Sequence, residues 1–113
     1  MVKIIIVESL EHEILKKFKE ESSEIFYLIH TLEENPKKGK ELGQVSGIVI
    51  KELRYKSFRF YFIIEGYKLK FISKEELNNL LMRFVRMSDK KTQQKTIDEI
   101  KNILRTFSEE GFK

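Results

Sequence analysis

The residues best equipped for chemistry fall in two stretches. Between residues 51 and 62 the cations Lys51, Arg54, Lys56 and Arg59 are interleaved with tyrosines and phenylalanines, and between residues 82 and 91 the chain adds Arg83, Arg86, Lys90 and Lys91. Cations set among aromatic rings suit RNA, because the charges neutralise phosphates while ring faces stack on unpaired bases. The same cations can stabilise the added negative charge of a phosphorane-like transition state. RNA cleavage needs no metal, since the 2′-hydroxyl can attack its own phosphate; a tyrosine, or a lysine of lowered pKa, could then serve as general base. The candidate catalytic residues are therefore Arg54, Arg59, Tyr61 and Arg83, with Lys51, Lys56, Arg86, Lys90 and Lys91 as RNA-binding candidates. Spacing does not separate cleavage from binding.

Other chemistries find little support. There is no glycine-rich phosphate loop, no nucleophile–histidine pair and no carboxylate cluster among the basic residues. Cysteine is absent, which removes disulfides and thiolate metal sites, and no cofactor or metal is expected. His12 and His30 lie in acidic segments remote in sequence from the basic residues and read as surface positions on helices. The net charge of +4 is modest but polarised: residues 8–34 are mostly acidic, while residues 37–72 and 83–95 are mostly basic. Such asymmetry marks a surface that faces a polyanion, and equally fits a solvated lysine-rich shell.

The elements that must carry these residues can be read in order. At 113 residues the chain is expected to be one domain, 1–113, with a single core. Residues 2–7 form an apolar, β-branched run of strand length, too short for a membrane span or a secretory leader, so a cytoplasmic protein is expected. Ser9 offers an N-cap for a helix over residues 9–21, and Ser22-Ser23 opens a second helix that stops at Asn35-Pro36. Residues 37–47, punctuated by three glycines, read as a loop.

Residues 48–54 and 57–64 read as strands, the second placing Phe58, Phe60, Phe62 and Ile64 on a core face and Arg59, Tyr61 and Ile63 on an open one. Residues 67–72 suggest a further hairpin arm, 73–79 a polar connector and 80–87 a last strand. Arg83 and Arg86 fall on opposite faces of an ideal strand and share one only if a bulge intervenes. Ser88 or Asp89 is expected to cap a final helix reaching about residue 108, with Lys90, Lys91 and Lys95 on its first turns. The expected fold is α+β: an N-terminal strand and helical hairpin packed on an antiparallel sheet, closed by a C-terminal helix.

This order, with Glu52-Leu53-Arg54, then Phe58-Arg59-Phe60-Tyr61-Phe62, then Phe84 and Lys90-Lys91-Thr92-Gln93, resembles the RelE/ParE toxin superfamily and, within it, the phage-derived HigB-like branch. The resemblance implies a RelE-like fold and a type II toxin: a ribosome-dependent mRNA endonuclease held inactive by a cognate antitoxin protein. By position, Arg54 and Arg59 match that branch's paired strand arginines, and Lys90 and Lys91 its basic helix start. Arg83, Arg86 and Tyr61 match no motif residue and come from the basic face alone. The chain departs from the pattern at residues 67–79, which look inserted, and at Ser88-Asp89 ahead of the lysine pair. Two alternatives share the fold: a non-catalytic RNA-binding or antitoxin-docking module, and a ParE-like gyrase inhibitor.

Overall fold

The structure, a computed structural model, describes residues 2–65 and 80–112. The hairpin arm and connector expected over residues 67–79 lie outside the described residues. The elements run β1 (Lys3–Ile6), α1 (Glu8–Phe18), α2 (Ser22–His30), β2 (Lys40–Val45), β3 (Ile48–Tyr55), β4 (Phe58–Glu65), β5 (Leu81–Asp89) and α3 (Gln93–Phe107). The strands form one sheet in the order β1-β5-β4-β3-β2, antiparallel except that β1 runs parallel to β5. This is the α+β arrangement expected from the sequence, with a mixed rather than wholly antiparallel sheet. Among the described residues no helix is long and apolar enough to cross a membrane.

The helical hairpin is tied down at its start and at its corner. Val7, not Ser9, occupies the N-cap of α1; its N–H donates to the Phe84 carbonyl at 3.0 Å, and its own carbonyl accepts from Leu10 and Glu11. The helix ends at Phe18, three residues before the expected boundary, because Lys19 takes a φ of 50° and a single 3₁₀ turn follows. Ser22 then opens α2 and turns inward, its buried hydroxyl donating to the Ile14 carbonyl at 3.2 Å. Leu10 and Ile14 of α1, with Ile25 and Ile29 of α2, bury their stripes in the core.

The glycine-rich stretch is not a loop. Residues 40–45 pair with β3 as the sheet's outer strand, and the glycines serve that pairing. Gly43, at a φ of 154°, follows a register shift that leaves Leu42 unpaired, and Ser46-Gly47, at φ of 51° and 82°, form the two-residue turn into β3. Glycine read as a loop signal was a bulge signal and a turn signal.

A second register shift decides where the arginines point. Tyr61 pairs with Arg86 but Phe62 pairs with Phe84, so Val85 is an extra residue in β5. Arg83, opposite Ile63, and Arg86, opposite Tyr61, therefore share one face despite their odd spacing. That face carries α3: Glu99 bonds Arg86, and the Lys101 side chain lies over Gly43. The other face carries the hairpin, where Phe18 meets Phe58 edge-on at 4.9 Å between centroids, and Phe62 stacks on Phe84 at 4.7 Å. Phe84→Ala removes a fully buried ring from that stack and is expected to cost about 3–5 kcal/mol, read as a lowered urea midpoint.

Candidate nucleic-acid interface

The sheet register assembles the candidate residues in two cross-strand rows on the α3 face. Arg54 of β3 lies opposite Arg59 of β4, which lies opposite Ser88 of β5; the neighbouring row is Glu52, Tyr61 and Arg86. Tyr55, Phe58 and Asp89 are paired beyond the first row, so the β3–β4 turn with Lys56 and the β5–α3 turn with Lys90 and Lys91 leave the sheet at the same end. Arg54, Arg59, Lys56, Lys90 and Lys91 thus gather at one end of the sheet.

The expected open face is not open. Arg59 is 6% exposed and Tyr61 is 0% exposed, because the closing helix returns over this side and Tyr61 joins Ile97 and Ile100 in one core. Strict alternation in β4 marked two buried faces, not a buried and a wet one. Arg54 remains at the surface, its side chain 58% exposed, with Nε 3.5 Å from Glu52 Oε1. Lys56 is also exposed, paired with Glu21. Lys90 and Lys91 are exposed but precede α3, in the turn before it, rather than lying on its first helical turns. Neither Ser88 nor Asp89 is the N-cap. Both end β5, and Asp89 braces the turn by accepting from the Thr92 N–H and hydroxyl at 2.9 Å each, which holds its carboxyl below the usual range.

Three candidates have other employment. Lys51 points to the hairpin face, buried, with Nζ donating to the Lys37 carbonyl at 3.1 Å and lying 5.9 Å from the Phe62 ring. Burial pushes its ammonium pKa down, yet it sits on the wrong face to act with Arg54. Arg83 Nη1 donates to the Glu109 carbonyl at 3.0 Å, which pins the C-terminal 3₁₀ turn. Arg86 donates to Glu99 Oε1 at 2.6 Å and to the Val85 carbonyl at 2.7 Å, and lies over the Phe112 ring. These two arginines fasten α3 and the chain's last turn to the bulged strand.

The inward part of the rows is chemically unusual. Glu52 is 1% exposed, and its Oε2 has no hydrogen-bond partner among the described residues; the same holds for Nε and Nη1 of Arg59. A buried charge without full pairing is costly, and native proteins keep few such atoms. Tyr61 bonds Ser88 Oγ at 2.7 Å, and burial raises its phenol pKa, so it holds its proton at neutral pH and is no general base. Glu52 and Ser88 were not among the sequence candidates. Both could have been found by alternation alone, Glu52 two positions before Arg54 and Ser88 two positions after Arg86.

The basic end is also bound to the hairpin. The Tyr55 hydroxyl is shared between Glu21 Oε1 at 2.6 Å and Glu24 Oε2 at 2.8 Å, which drives its pKa far up, and Lys56 pairs with the same Glu21. The chain matches no family model, no curated protein and no solved structure.

Two outcomes follow from these contacts. Hydrogen bonds from Lys56 and Tyr55 depress the Glu21 pKa from 4.5, so its contribution to stability is present above that value and is lost as pH falls through the folded-state pKa. Glu21→Gln is thus expected to lower the melting temperature at about pH 7 and to cost progressively less as the pH is taken down through the folded-state pKa, by thermal denaturation. Arg59→Met, which replaces an underpaired buried cation by an apolar chain of similar length, is expected to raise stability by about 1 kcal/mol in chemical denaturation.

Proposed function

We propose that this protein is a type II toxin resembling the HigB-like branch of the RelE/ParE superfamily: a cytoplasmic, metal-independent endoribonuclease that cuts mRNA on the ribosome and is restrained by a cognate antitoxin. The observation that carries this reading is the Arg54–Arg59–Ser88 row. The two motif arginines are directly paired across β3 and β4, and the inner one keeps guanidinium nitrogens without a partner among the described residues. The order strand, helical hairpin, antiparallel strands and closing helix, and the position of Lys90 and Lys91 at the same end, support it as well.

On this reading Arg54 and Arg59 neutralise the scissile phosphate and the charge that builds in the transition state, while Lys56, Lys90 and Lys91 hold flanking backbone. The 2′-hydroxyl gives its proton to water, since Glu52, enclosed under α3, is out of the substrate's reach. The 2′-oxygen then displaces the 5′-oxygen at phosphorus, leaving a cyclic phosphate and a 5′-hydroxyl. Water returns a proton to the departing oxygen, while Tyr61, fully buried with its hydroxyl bonded to Ser88, supports the row from within and does not touch substrate.

One observation favours a second reading. Arg59 and Tyr61 are buried, which leaves Arg54, Lys56, Lys90 and Lys91 as the exposed cations of the cluster, enough for RNA binding without cleavage. Expression of the wild type should arrest growth, and Arg54→Ala combined with Arg59→Ala should abolish the arrest with an unchanged circular dichroism spectrum. In a purified ribosome assay, Arg54→Ala alone is expected to slow mRNA cleavage by about 10²–10³-fold. Undiminished toxicity in the double variant refutes the nuclease reading. Salt-sensitive RNA binding with no cleavage products assigns the binding module instead.

A further inference from the structure

β2 begins at Lys40, opposite Glu52, so residues 53–55 of β3 run past the end of their outer neighbour. Beside this uncovered stretch stands α2, and between them lies an open groove of about 750 Å³ whose lining includes Tyr27, Leu28, Thr31, Lys38, Arg54 and Lys56. A smaller recess of about 250 Å³, bordered by Leu28, Lys38, Lys40 and Arg54, continues it along the strand edge. The groove thus reaches Arg54, the exposed end of the arginine row, from the side opposite Arg59.

Its chemistry is that of a nucleotide site. Tyr27 is 76% exposed, the most exposed of the large hydrophobic side chains named among the described residues, and presents its ring beside Leu28. Three cations line the groove against one carboxylate, Glu24, which already receives the Tyr55 hydroxyl; Lys56 is paired with Glu21 outside that lining, and Tyr27 also borders a second recess of about 370 Å³ that holds Glu33 and Glu34. An exposed aromatic ring with cations along one side can stack on a base while those cations meet the flanking phosphates, the combination used in binding single strands without sequence preference. An extended peptide added to the strand edge would gain the main-chain groups of residues 53–55 alone, a short ladder for β-addition.

We propose that this groove is a single-stranded RNA subsite: Tyr27 stacks on one base, and Lys38 and Lys56 hold the phosphates flanking the one at Arg54. The inference rests on the RNA-binding part of the function proposed above and does not require cleavage. Fluorescein-labelled hexauridylate, titrated into the full chain at low salt and followed by anisotropy, tests it. Wild type and Tyr27→Phe should bind alike, Tyr27→Ala about tenfold more weakly, and Lys38→Glu more weakly still. Absence of wild-type binding, or equal binding by wild type and Tyr27→Ala, overturns the subsite. So does competition by hexaglutamate as effective as that by unlabelled hexauridylate, which would make the groove an acidic-peptide surface. Cleavage on ribosomes, read on the same proteins, separates the two proposals. A chain that binds through Tyr27 and cuts nothing refutes the nuclease and keeps the groove, whereas one that cuts mRNA while Tyr27→Ala binds hexauridylate undiminished keeps the nuclease and loses the groove.

Discussion

β4 is the central strand of a sheet with helices on both sides, and this fixes the fate of every polar group on it. With β3 and β5 as neighbours, the hairpin over Phe58 and Phe60 and α3 over the opposite face, β4 has no wet side among its described side chains apart from the partly covered Phe58. A cation placed there is forced out of water unless the fold supplies partners. Arg59 is such a cation, and the chain leaves two of its nitrogens unsatisfied by described residues. Desolvating a guanidinium is expensive, and Arg59 is held here beside an equally buried Glu52.

The bulge at Val85 brings both arginines of β5 onto the face that carries the Arg54–Arg59 row. By resetting the alternation, it turns Arg83 and Arg86 to the α3 face, where the Glu109 carbonyl and Glu99 receive them. The exposed cations that remain, Arg54, Lys56, Lys90 and Lys91, occupy the sheet's far end, set by two tight turns that leave it side by side. Arginines near the bulge thus fasten α3 and the last turn, whereas Arg54 and the lysines near the turns remain exposed, Lys56 in a pair with Glu21.

Much of the element order was legible because each hydrophobic period was clean: the β-branched run of β1, the stripes of α1 and α2 broken at Ser22, the alternation of β4, the amphipathic α3. What could not be read was which faces were covered. Alternation in β4 looks the same whether Tyr61 faces solvent or a helix, and the chain gives no local sign that Ile97 and Ile100 return over it. The glycines of residues 37–47 misled for a similar reason, since a turn glycine and a bulge glycine carry the same letter as a loop glycine. The lone residue Val85 leaves no trace in the pattern at all, yet it decides the roles of two arginines.

The parallel pairing of β1 with β5 joins Lys3 to Leu81, about 80 positions apart along the chain. Few native contacts span so wide a separation, and closing a loop of that length must precede any reward from the contact. During synthesis the apolar strand β1 therefore has no sheet neighbour until β5 has emerged. Completion of the sheet is a late, collective event, and until it occurs β1 keeps an unpaired strand edge.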